Sequence, residues 1–140
     1  MNLVKQMKKL IKKSKIQWED AFERHDGHST VSFFMELEDD VFYKIVFVIH
    51  DNDSDVEIYF SKPIDMGENL DEVFEKYKMV NSLNASYRGM NFFLEEGFVT
   101  ARTFMATGGD FEVVKESFRN GVDIVSEEFV VFPPGNVQSV

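Results

Sequence analysis

The sequence predicts an α+β domain of element order α-β-β-β-α-β-β-α. It is read as a five-stranded antiparallel sheet with helices packed mainly on one face. Three observations carry this reading. Apolar residues recur every three or four positions in three stretches, and β-branched and aromatic runs, the first alternating strictly, fill five others. The links between the first strands are short and polar, as antiparallel neighbours require.

In the first stretch, Leu3, Met7, Leu10, Ile11, Trp18, Ala21 and Phe22 form a helical stripe with lysines on the other side. Gly27 is placed to cap it, so a helix is expected from about residue 2 to residue 25. The period then becomes two. Val31, Phe33, Met35 and Leu37 predict a half-buried strand. After the polar turn Glu38-Asp39-Asp40, residues 41–49 are β-branched and aromatic, and residues 56–61 follow the polar stretch 51–55. Pro63 ends that third strand, because proline donates nothing to a ladder.

Asn69 with Glu72 makes a capping box for a second helix. Leu70, Val73, Phe74, Tyr77, Val80, Leu83, Asn84 and Tyr87 form its expected inward stripe, and Gly89 its stop. A hairpin of residues 90–94 and 98–105 turns at Glu95-Glu96-Gly97. Thr107 or Asp110 caps a third helix striped by Phe111, Val114, Phe118, Val122, Val125 and Phe129. Pro133-Pro134-Gly135 stops it, so residues 1–132 read as one domain and 133–140 as a loose C-terminal tail.

Composition limits the function classes. The chain has 140 residues, no cysteine and a net charge of -10. Disulfides, thiolate metal sites and a cysteine nucleophile are excluded. Residues 1–16 hold six lysines and no acid, leaving a net of -16 on the rest. Such an acidic body repels phosphate backbones, so nucleic acid is not an expected partner. The lysines favour a first helix lying on the acidic body over one that contacts a membrane. They also interrupt any export signal, and the longest apolar stretch, residues 45–49, cannot span a bilayer. The expected location is the cytoplasm.

Chemical motifs are sparse. Asp51-Asn52-Asp53-Ser54-Asp55 begins like a calcium loop, but the sixth and twelfth positions are Val56 and Lys62 where glycine and glutamate are needed. His25 and His28 lack the further ligands zinc requires, and His50 reads as a solvated strand-end histidine. No nucleophile elbow, phosphate loop or dinucleotide fingerprint is present, so no enzymatic activity and no cofactor or metal are expected. Asn84 on the apolar stripe of the second helix, with Asn81 beside it, reads as a buried amide tying that helix to a neighbour or as a polar contact in a groove.

The sheet holds the candidate binding residues. Alternation puts Phe42, Val46 and Val48 on the second face of the middle strand, with Lys44 and His50. Phe34, Tyr59 and Phe93 join that face from other strands. A water-facing sheet would be more polar, so either a helix covers this face or it is an interface.

The run Val80-Asn81-Ser82-Leu83-Asn84-Ala85-Ser86-Tyr87-Arg88, followed by Met90-Asn91-Phe92-Phe93-Leu94-Glu95-Glu96-Gly97, resembles the YbjN family. That resemblance, clearest over residues 70–128, marks Asn81, Asn84, Tyr87 and Arg88 as a structural motif. It implies the type III secretion chaperone-like fold and a small, non-enzymatic bacterial cytoplasmic protein described as a regulator of sensory transduction. Secretion chaperones of that fold are acidic homodimers that hold extended client segments. The leading expectation is therefore a homodimeric protein-interaction module that takes an unidentified partner protein on its apolar sheet face or at a strand edge. The alternatives are an acidic charge mimic that inhibits a nucleic-acid-binding protein, and a small-molecule sensor.

Overall fold

The computed structural model describes residues 3–13 and 22–135. Helix α1 (Leu3–Lys13) precedes strands β1 (Phe22–Arg24), β2 (His28–Glu38), β3 (Val41–His50) and β4 (Asp55–Pro63). Helix α2 (Leu70–Ser86), the hairpin β5 (Asn91–Glu95) and β6 (Phe98–Ala106), helix α3 (Phe111–Glu128) and a 3-10 turn (Phe129–Val131) complete it. The strands form one antiparallel sheet of six, in the order β1-β2-β3-β4-β6-β5.

The local signals behave as their chemistry dictates. Asn69 caps α2 by accepting the Glu72 N–H at 2.9 Å. Asp110, not Thr107, caps α3, accepting from Glu112 N–H at 3.0 Å. The Thr107 hydroxyl instead donates to the Ser54 carbonyl at 2.7 Å, tying the loop before α3 to the β3–β4 turn. At the β5–β6 turn, Glu96 and Gly97 both take positive φ, as a two-residue hairpin loop of the primed type requires.

Three expectations about where elements begin and end change. The sheet has a sixth strand, because Phe22 to Arg24 pair with β2 instead of ending the first helix. An apolar ring at position 22 suits a helix stripe and a strand equally. Here Phe22 lies opposite Val31 and beneath the Lys8 ammonium, 3.7 Å from its ring centroid. Gly27 is consequently a hairpin residue at φ +88, not a helix cap. Residues 14–21, with Trp18 and Ala21 of the expected stripe, lie outside the described residues. Second, α2 ends at an extended Tyr87, whose N–H reaches the Leu83 carbonyl at 3.0 Å, two residues before Gly89. Third, residues 133–135, expected in the tail, bridge back to the end of β4: Asp65 N–H donates to the Pro133 carbonyl and Gly135 N–H to that of Pro63.

The core lies on one face of the sheet. Val31, Phe33, Tyr43, Ile45, Phe47, Val56, Ile58, Phe60, Val99 and Ala101 point there and are buried. Phe118 of α3 packs against Phe33, Phe47 and Phe60. Gly121 on the same helix lets the Phe60 ring approach, and a side chain there would collide with it. Leu3 and Met7 seat α1 in the same core, and the Leu3 N–H donates to Asp53 at 2.9 Å.

A charged side chain is buried within this apolar layer. Lys62 is fully inaccessible, and its ammonium donates to the carbonyls of Phe129 and Phe132, each at 2.7 Å, and pairs with Glu38 at 2.6 Å. The Tyr43 hydroxyl also donates to Glu38, at 2.5 Å. Burial and that carboxylate hold the Tyr43 pKa well above the ordinary tyrosine value. Replacing Lys62 with Met removes the charge paired with Glu38 and the ammonium donor to the Phe129 and Phe132 carbonyls, of which the first keeps only the Phe132 N–H at 3.1 Å. Lys62→Met is expected to lower unfolding free energy by about 3 kcal/mol in urea denaturation. A loss under about 1 kcal/mol would show that the pair contributes little.

Candidate functional site

The second face of the sheet carries the candidate site, and strand register sets its layout. Side chains opposite one another across paired strands form rows. One row runs Phe34, Lys44, Ser61, Thr100, Phe93, and a second Ser32, Val46, Tyr59, Arg102, Asn91. A third runs Thr30, Val48, Glu57, Phe104. The six expected residues Phe34, Phe42, Val46, Val48, Tyr59 and Phe93 thus all fall on this one face. The helical contacts described above fall on the other.

The face has an apolar zone on β2 and β3 and, beyond a polar ladder, separate apolar residues on β5 and β6. Phe34, Phe42, Val46 and Val48 lie together on β2 and β3, whereas Phe93 lies on the far edge strand β5. Two of these apolar residues were not singled out from the sequence. Phe98 and Phe104 on β6 share the parity of Thr100 and Arg102, so the alternation within residues 98–105 was the signal for them. Phe34, Phe42, Phe98 and Phe104 are 39% to 51% exposed.

Glu57 is the hub of the ladder. It accepts from Arg102 Nε at 2.9 Å and the Tyr59 hydroxyl at 2.8 Å, and it meets His50 Nε2 at 2.9 Å and Arg102 Nη2 at 2.8 Å. Tyr59 is therefore held in this network instead of standing as a free apolar anchor. The Arg102 guanidinium also lies near the Tyr59 and Phe104 rings, 5.9 and 6.0 Å from their centroids. Burial is the largest single influence on the Glu57 carboxyl and pushes its pKa up. The hydrogen bonds from His50, Tyr59 and Arg102 together outweigh it and hold the group below its ordinary value.

The residues of the resemblance motif part company. The Asn84 amide donates to the Phe92 carbonyl and accepts the Phe92 N–H, both at 2.8 Å. Phe92 belongs to an edge strand, so Asn84 supplies the donor and acceptor that a further strand would bring. The expected tie from Asn84 to a neighbouring strand is present, but Asn84 is exposed and not the buried amide the sequence suggested, because it caps the outer edge of the sheet. Tyr87 packs on the Phe92 ring, and its hydroxyl donates to Glu128 at 2.5 Å. Asn81 and Arg88 are exposed on α2 and beyond its end.

At one end of the sheet three histidines gather, although His50 is remote in sequence. The rings of His25 and His28 stack at 4.7 Å, and those of His28 and His50 lie 6.0 Å apart. Among the described residues, no group of three or more histidine, aspartate or glutamate side chains has an arrangement that could hold a metal ion. In the calcium-like stretch, Asn52 accepts the N–H groups of Ser54 and Asp55 at 2.9 Å, and Asp51 pairs with Arg24 at 2.7 Å. Among the described residues, no helix is long and apolar enough to cross a membrane.

No family model, curated protein or solved structure matches the chain.

Two measurements probe this face. Asn84→Ala leaves an edge N–H and carbonyl unpaired and is expected to lower stability by about 1–3 kcal/mol, with faster amide exchange at Phe92. Unchanged exchange there would show that Asn84 does not close the edge. Because the folded pKa of Glu57 lies below its ordinary 4.5, its stabilising contribution is present above that pH and is lost as pH falls through the lowered value. The stability difference between the parent and Glu57→Gln is therefore expected to shrink from about pH 6 to about pH 3 in urea titrations. A constant difference would show that the ladder does not depend on the carboxylate charge.

Proposed function

We propose that the protein is a non-enzymatic, homodimeric protein-interaction module that holds an extended polypeptide segment on the open face of its sheet. One observation carries the reading: α3 and α1 pack on the core face, while the opposite face presents Phe34, Phe42, Val46, Val48, Phe93, Phe98 and Phe104 across neighbouring strands. Apolar patches of this kind favour a partner that brings alternate apolar side chains of its own.

The chemistry of the face favours this reading over its competitors. Strand addition at β5 meets the Asn84 amide, and the opposite edge strand, β1, is three residues long. A charge mimic would need acids at the centre of its surface. Here the central charges are Lys44, Arg102 and a Glu57 already paired with Arg102. The regulatory, chaperone-like and cytoplasmic parts of the reading rest on the resemblance to YbjN proteins and to the type III secretion chaperone-like fold.

The face spans ~30 Å along its strands, so apolar-alternating peptides of about ten residues are suitable probes in fluorescence anisotropy. Phe42→Asp combined with Val46→Asp is expected to preserve the far-ultraviolet dichroism and weaken peptide binding roughly a hundredfold, at about 1.5 kcal/mol per lost anchor. Binding equal to that of the parent, or no peptide binding by the parent, would overturn the assignment.

A further inference from the structure

We infer that α2 carries a separate surface through which two copies of this chain associate, an antiparallel helix seam built on Leu70, Phe74, Tyr77 and Asn81. These residues belong to the stripe that the sequence assigns to the core, and the structure turns them outward. Leu70, Phe74 and Tyr77 are 71%, 57% and 50% exposed, whereas Lys76, Val80 and Leu83 are buried. At about 100° per residue the two arcs lie roughly 130° apart on the helix. The amphipathic pattern of α2 therefore serves two surfaces, and its own fold covers one.

The spacing of the outward arc is four, three, four, the repeat of a two-helix seam, with polar Asn81 at its C-terminal end. Phe74, Tyr77 and Asn81, with Asp71, Glu75 and Lys78, border a surface concavity of about 480 Å³.

Charge selects the occupant and its direction. Asp71 and Lys78 lie on the same flank of the arc, one heptad apart. In an antiparallel pair that sets Phe74 against the partner's Tyr77, Leu70 meets the partner's Asn81 and Asp71 meets the partner's Lys78. The two-fold axis repeats the contact, so one seam closes two opposite-charge pairs. A parallel pair would instead set Lys78 beside Val73 and leave both charges unmatched. Within the chain Lys78 reaches Glu75 only at 4.0 Å, with both side chains well exposed, so little holds it away from a partner. The inference rests on the homodimer part of the proposed function, and it uses no residue of the sheet face.

Sedimentation over a dilution series at low ionic strength tests it with the full chain. The parent is expected to dimerise. Asp71→Lys alone and Lys78→Asp alone each place like charges together twice and are expected to raise the dissociation constant roughly tenfold or more. The double reversal, Asp71→Lys with Lys78→Asp, restores the dimer, a result that damage to folding would not produce. Phe42→Asp with Val46→Asp leaves dimerisation unchanged. A monomeric parent would overturn both the seam and the homodimer. A dimer insensitive to the single reversals, not rescued by the double one, or dissociated by the sheet-face variant would overturn the seam alone.

Discussion

An ammonium group has three protons, and at Lys62 each has an oxygen to meet: Glu38, the Phe129 carbonyl and the Phe132 carbonyl. The carbonyls belong to the turn that follows α3, where the Phe129 oxygen shares the ammonium with the Phe132 N–H. Lys62 stands on β4, in the middle of the sheet. The contact therefore fixes the end of α3 against one face, and the Phe118 ring follows onto Phe33, Phe47 and Phe60. A lone buried ammonium would be strongly unfavourable, so the arrangement stands or falls as a unit.

Holding α3 there makes the sheet asymmetric. The core face is sealed by helices and carries the aliphatic and aromatic interior. The other face has a polar spine, Glu57 with Arg102, Tyr59 and His50, beside an apolar zone on β2 and β3. The spine keeps charges paired where a partner would desolvate them, which lowers the penalty of covering them. Asn84 occupies the β5 edge at Phe92, so the proposed reading uses the broad face and not that edge.

Much of the fold was legible because its signals are local. The Asn69 and Asp110 caps, the alternation that sorts Val46 from Ile45, and the turn at Glu96-Gly97 each depend on residues within one turn or strand. That alternation was enough to put Phe34, Phe42, Val46, Val48, Tyr59 and Phe93 on one side of the sheet. It was not enough to show that Tyr59 is bound into a ladder, because Arg102 reaches it from 43 residues away. The strand β1 was hidden for a similar reason: Phe22 fits a helical stripe, and only the vacant edge of β2 makes it a strand.

The sequence by itself determined the order of nearly all elements, their caps and turns, and which side chains share a strand face, since periodicity and backbone preference act over a few residues. Only the tertiary structure decided which face is covered, that Lys62 is a buried anchor and not a solvated strand end, that His50 joins His28, and that the Leu70–Phe74–Tyr77 arc of α2 points to solvent. The physical reason is that an apolar stripe records only that burial is favourable. What buries it is set by packing between segments far apart in the chain.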